Sequence, residues 1–133
     1  MAQTLDQQRA ALAWGYATAA MKTGFAKKYR NLAKGAPALI MNSGLMPTLA
    51  FYNGKKPEKD PEHRALLDDL IRGLCDRLTG KKLQVNQGWQ LFPSFMQSLQ
   101  ASESRDYLRY TDEALELLKW IRQFVDAVET PRN

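Results

Sequence analysis

Two side chains that could act as a base, a nucleophile or a metal ligand occur once each: His63 and Cys75. His63 lies between Glu62 and Arg64 in what should be the first turn of a helix, and it reads as a solvated surface residue. Cys75 follows Leu74 in an apolar helical pattern and is expected to behave as a small buried apolar group. Asp68, Asp69 and Asp76 border the same leucine stripe, and Asp112, Glu113 and Glu116 recur at helical spacing further on. Both sets read as solvated helix faces, with Lys119 and Arg122 available to pair with the second. Hydrolysis requires an ionisable pair, a metal cluster or a nucleophile beside a base. The residue pattern offers none of these, and Gly35 to Gly44 lacks the lysine and spacing of a phosphate-binding loop. The expectation is no catalytic residue, no metal site and no cofactor.

The cations are more informative. Net charge is +5, but residues 1–56 hold eight Lys or Arg against the single acid Asp6, while residues 57–133 hold eleven against thirteen. On an ideal helix Lys27, Arg30 and Lys34 lie within about 60° of one another, opposite Phe25, Tyr29 and Leu32, so they should form one exposed ridge. Lys55 and Lys56, in a loop, could extend that surface, as could Lys81 and Lys82. Such a face suits the phosphates of a nucleic acid, contacted without regard to sequence and sensitive to salt. It suits an acidic protein surface equally well. The six residues Lys27, Lys28, Arg30, Lys34, Lys55 and Lys56 are the candidate contacts.

The elements that must position these residues are all helical. Thr4 and Gln7 have capping-box spacing and predict a helix start. The stripe Ala10, Trp14, Ala17, Met21, Phe25, Tyr29, Leu32 continues it, with at most a bend at Gly24, as far as Gly35. Pro37 then opens a short helix that Asn42-Ser43-Gly44 interrupts, and Pro47 opens another. Asn53 to Lys59 reads as an exposed loop. Asp60-Pro61 starts the clearest amphipathic helix, carrying Leu66, Leu67, Leu70, Ile71 and Leu74, and Gly80 ends it. Lys82 to Asn86 has the character of a short strand but no partner strand, so a connector is expected. A short helix near Pro93 follows. Ser102 to Ser104 should cap a long last helix with the core stripe Leu108, Thr111, Leu115, Leu118, Ile121, Val125, Val128, stopped by Pro131.

The pattern predicts an all-α chain, a single compact bundle of about six helices spanning residues 1–133 as one domain. At 44% apolar and 25% charged residues, the composition is that of a protein that folds. No apolar run reaches the roughly 18 residues a membrane span needs, and Met1 to Asp6 does not resemble a secretion signal. A lone thiol excludes an internal disulfide framework and fits a reducing compartment, so a cytoplasmic location without membrane contact is expected.

Two stretches go beyond helix patterning. The first runs Lys28-Tyr29-Arg30-Asn31-Leu32-Ala33-Lys34-Gly35-Ala36-Pro37-Ala38-Leu39-Ile40 and continues through Asn42-Ser43-Gly44-Leu45 to Thr48-Leu49-Ala50-Phe51. The second comprises Tyr107, Thr111, Glu113-Ala114-Leu115, Leu118 and Trp120-Ile121-Arg122. In this order and chain length they resemble the small helical subunit of the type III-B CRISPR RNA-guided effector, the Cmr complex; from Lys55 to Ser98 the likeness is in helical character and length only. The resemblance implies a non-catalytic subunit of an antiviral ribonucleoprotein that stacks beside backbone subunits and lines the path of guide and target RNA. Other subunits of that complex, guide RNA, target RNA and further copies of the chain are the partners it suggests. It carries over no catalytic motif and no fixed set of RNA-contacting residues, so the six basic candidates rest on charge and helical phase. The residues alone leave a second reading open: a helical adaptor whose basic face docks an acidic protein and touches no nucleic acid. Tyr29, Pro37, Gly44, Leu45 and Trp120 have structural explanations in core packing, a helix start and a turn, and all three tryptophans fall on or near apolar faces.

Overall fold

A computed structural model of the chain describes residues 2–128; Pro131, the expected stop of the last helix, lies outside them. Seven helices and no strand occur among the described residues: α1 (Leu5–Met21), α2 (Ala26–Ser43), α3 (Leu45–Asn53), α4 (Pro61–Thr79), α5 (Gln87–Gln90), α6 (Phe92–Ala101) and α7 (Ser104–Ala127). The all-α expectation holds, and Lys82 to Asn86 is a connector.

Local signals set several boundaries as expected. The Thr4 hydroxyl accepts the Gln7 amide at 3.1 Å while the Gln7 side chain accepts the Thr4 amide at 2.8 Å, closing the capping box of α1. Gly44 ends α2 at φ 98°, a conformation that favours glycine, and its N–H bonds the Ile40 carbonyl at 2.7 Å. Pro61 opens α4 and left-handed Gly80 closes it.

Tertiary packing overrides the local signals elsewhere. α1 does not run on to Gly35: the Thr23 hydroxyl donates to the Ala20 carbonyl at 2.7 Å, and residues 22–25 reverse the chain before α2 starts. α2 then passes through both Gly35 and Pro37. An interior proline removes one helix hydrogen bond and costs about 3 kcal/mol. The offset comes from Tyr29, Ala33, Ala36 and Ile40, spaced four, three and four residues apart and all buried, which must stay on one continuous face to pack on α7 and α4.

α7 is the axis of the molecule. α1 lies along it in the same direction, with Arg9 at Glu113 and Trp14 at Phe124, and α2 returns in the opposite sense, with Arg30 at Val125. α4 packs against α1, α2, α3 and α7, and α5 lies across α4. The buried apolar residues form one cluster in which Leu66, Leu67, Leu70, Ile71 and Leu74 of α4 face Leu117, Leu118, Ile121 and Val125 of α7. The expected α7 stripe holds at Leu118, Ile121 and Val125, with Leu117 widening it, but fails at its start: Leu108 is 59% exposed and Glu113 points inward. Trp14, expected in the core, is 48% exposed. Ser102 and Ser104 do not cap α7, whose N-cap residue is Glu103 without a side-chain bond.

Candidate nucleic-acid interface

The acids expected to be solvated include three that hold the bundle together. Glu113 is buried and accepts two hydrogen bonds from Arg9, at 2.7 and 2.9 Å, with Arg77 at 3.6 Å, so one carboxylate joins α1, α4 and α7. The Glu113 hydrogen bond raises the pKa of the Arg9 guanidinium. Asp68 accepts the backbone N–H groups of Asn86 at 3.0 Å and Trp89 at 2.8 Å, fixing the connector and α5 on α4. Asp69 accepts the Tyr29 hydroxyl at 2.7 Å; burial pushes its carboxyl up to about 8, against the lowering effect of that bond. These partners lie 104, 18, 21 and 40 residues away in sequence. Cys75 is buried as expected, and burial raises its thiol.

The basic candidates divide into two groups. Arg30 is half-buried: its guanidinium donates to the Val125 carbonyl at 3.1 and 3.3 Å and lies 3.5 Å from Asp126. Lys34 holds Asp126 at 2.7 and 2.9 Å. Both satisfy the C-terminal end of α7, where unpaired carbonyls and the helix dipole favour cations. The hydrogen bond from Lys34, together with Arg30, holds the Asp126 carboxyl below its ordinary value. The predicted ridge of Lys27, Arg30 and Lys34 is therefore partly occupied within the chain.

Lys27 and Lys28 are exposed at the start of α2, with no ion pair among the described residues. They line a shallow depression together with Phe25, Glu58 and Lys59, where the α1–α2 turn meets the loop before α4. The sequence candidates omit Lys59; its place in the same Lys-rich loop as Lys55 and Lys56 is the signal that could have found it. Lys56 is exposed, and Lys55 lies over the Phe51 ring at 4.7 Å. Lys82 is paired with Asp76 at 3.0 Å.

The chain matches the family described as CRISPR-associated protein (Cas_Cmr5) over residues 5–128. The chain belongs to the Cmr5 family. It is 28% identical over 101 residues to the CRISPR system Cmr subunit Cmr5 of Thermus thermophilus, covering 76% of this chain and 75% of that one. It superposes on the crystal structure of a CRISPR-associated Cmr5 family protein, also from Thermus thermophilus, with a TM-score of 0.71 at 26% identity, covering 94% of this chain and 97% of that one.

In this Cmr5-family chain the two stretches that carry the resemblance pack on each other. Tyr107 accepts the Met46 amide at 3.0 Å, and its hydroxyl lies where a Cβ on Gly44 would come within 3.6 Å. Tyr29 and Leu45 are fully buried, and Trp120 is half-buried with its ring 5.7 Å from that of Phe124. Pro37 has a different role from the one expected, being inside α2 and not at a helix start. Trp89 lies under Arg64 at 3.6 Å.

Proposed function

We propose that this chain is a non-catalytic small subunit of a type III-B CRISPR ribonucleoprotein effector, folded as one domain, located in the cytoplasm and seated beside backbone subunits to help hold guide and target RNA. The observation that carries the RNA part of the reading is the convergence of Lys27, Lys28 and Lys59 on one exposed depression of a Cmr5-family fold. Lys55 and Lys56 extend that surface; Arg30 and Lys34, engaged with α7, contribute field and position more than direct contact. The structural use of Asp68, Asp69 and Glu113 supports a role without catalysis, since their oxygens are committed to neighbours within the fold. Met41, 74% exposed, and Leu108, 59% exposed, lie within one helical turn of the Gly44–Tyr107 contact and suit burial against a neighbouring subunit.

The test is a reconstituted effector carrying Lys27→Ala, Lys28→Ala and Lys59→Ala together. Each lost phosphate contact to single-stranded RNA removes about 0.7 from the slope of log affinity against log salt, so the triple variant should lower the slope by roughly 2. An unchanged slope with intact assembly would move the RNA path elsewhere. Normal RNA capture with loss of a neighbouring subunit would favour the acidic-protein reading.

A further inference from the structure

Four carboxylates are buried among the described residues, Glu62, Asp68, Asp69 and Glu113. Three have an arginine nearby: Arg72 lies 3.6 Å from both Asp68 and Asp69, and Arg9 lies 2.7 Å from Glu113. Glu62 differs. Its side chain is 4% exposed, its one ion-pair partner among the described residues is His63 at 3.3 Å, and its Oε1 is buried with no hydrogen-bond partner. A buried carboxylate normally needs a paired cation or a coordinated metal. Asp60 stands at the N-cap of α4, yet its side chain makes no capping bond, so its carboxylate is not committed to the helix.

We propose that Asp60, Glu62 and His63 form a binding site for a divalent cation of the zinc class. One ligand atom from each residue lies within 4.8 Å of the others. The Glu62–His63 separation of 3.3 Å already matches the edge of a tetrahedron built on bonds of about 2.0–2.1 Å, and the Asp60 carboxylate, within 4.8 Å of both, is the candidate for the third corner. An imidazole nitrogen with two carboxylate oxygens is a donor set for zinc more than for magnesium or calcium, which prefer all-oxygen shells. The His63 ring is held by edge contacts with Tyr52 at 5.5 Å and Phe51 at 6.1 Å, so it arrives pre-oriented. The positive end of α4 and nearby Lys59 oppose a cation. Two carboxylates, one of them buried with an unpartnered Oε1, supply the compensating charge. Three protein ligands leave a fourth position for water.

The experiment uses the full untagged chain stripped of metal and titrated with Zn²⁺, with Mg²⁺ as control. His63 is the only histidine, so its ring signals in an NMR spectrum report on the site alone. One equivalent of Zn²⁺ should shift those signals, and a hundredfold excess over Kd should raise Tm by about 10 °C, while Mg²⁺ does neither. Asp60→Asn should abolish the Tm rise with helicity and metal-free Tm unchanged. Glu62→Gln should abolish it too, with a metal-free Tm at or above that of the natural chain because a buried carboxylate with an unpartnered oxygen has been removed. Unmoved His63 signals at stoichiometric Zn²⁺, or a full Tm rise in Asp60→Asn, would overturn the proposal.

Discussion

Replacing Glu113 with Ala tests whether one buried carboxylate holds three helices together. The substitution removes two hydrogen bonds from Arg9 and the charged neighbour of Arg77, leaving Arg9 only the exposed Asp6 at 3.7 Å and Arg77 only the neutral Gln8 side chain. Breaking a buried pair on one side costs about 3–5 kcal/mol. Arg9 and Arg77 keep side-chain exposures of 16% and 11%, so each regains some water and the lower end of that range applies, about 3 kcal/mol. At roughly 2.1 cal/mol/K per residue, unfolding 133 residues gives about 0.28 kcal/mol/K, so Tm should fall by about 11 °C. The assay is thermal and urea unfolding of the isolated chain followed by circular dichroism. Arg9→Ala alone should be costly too, and Arg9→Ala with Glu113→Ala should cost less than the sum by about 1 kcal/mol or more, since the orphaned partner is gone (about 0.5–3 kcal/mol of coupling is usual for contacting residues). Glu116→Ala, one turn away and more exposed, should change stability by less than about 0.5 kcal/mol. A loss below about 1 kcal/mol for Glu113→Ala, or full additivity with Arg9→Ala, would refute the reasoning.

Two further outcomes follow from the core. Burial raises the Asp69 carboxyl from its ordinary value of 3.8 to about 8, so the folded chain keeps a proton that the unfolded chain gives up. The associated stability is fully present below about pH 4 and is lost as pH rises through about 8; Asp69→Asn should flatten urea-unfolding stability across that window, and an unchanged pH profile would contradict the assignment. Gly35 sits in the interior of α2 with nothing within 4 Å of where a Cβ would stand, so Gly35→Ala should stabilise the chain by about 0.5–1 kcal/mol; a helix ending there in a left-handed turn would give the opposite sign.

What is legible in the sequence is local. The Thr4–Gln7 capping box, the Asp60-Pro61 start, and the Gly44 and Gly80 stops involve residues within a few positions of one another, and each appears in the structure near where it is expected. Gly35 and Pro37 mislead because their local preferences lose to packing: Tyr29, Ala33, Ala36 and Ile40 gain more by staying in register on α7 and α4 than the proline costs. Gly24, expected to be at most a bend, lies in the turn that separates α1 from α2. The acids mislead for a related reason. A carboxylate beside an apolar stripe reads as solvated unless its partner is known, and the partners of Glu113 and Asp69 come from distant helices. His63 reads as a surface residue, whereas its side chain is 15% exposed and packs on α3. Helical phase groups Lys27 with Arg30 and Lys34, but phase alone does not reveal that the end of α7 approaches the latter two. Lys59 joins Lys27 and Lys28 only because the loop before α4 folds back on the α1–α2 turn.

In the proposed role this Cmr5-family chain contacts RNA through the surface around Lys27, Lys28 and Lys59. The most direct measurement is photo-crosslinking of the intact effector, assembled with guide and target RNA, followed by peptide mapping of this chain. RNA adducts are expected on peptides from the α1–α2 turn and from the loop holding Lys55, Lys56 and Lys59. Adducts confined to other helices, or an assembled complex whose small subunit carries none, would contradict it.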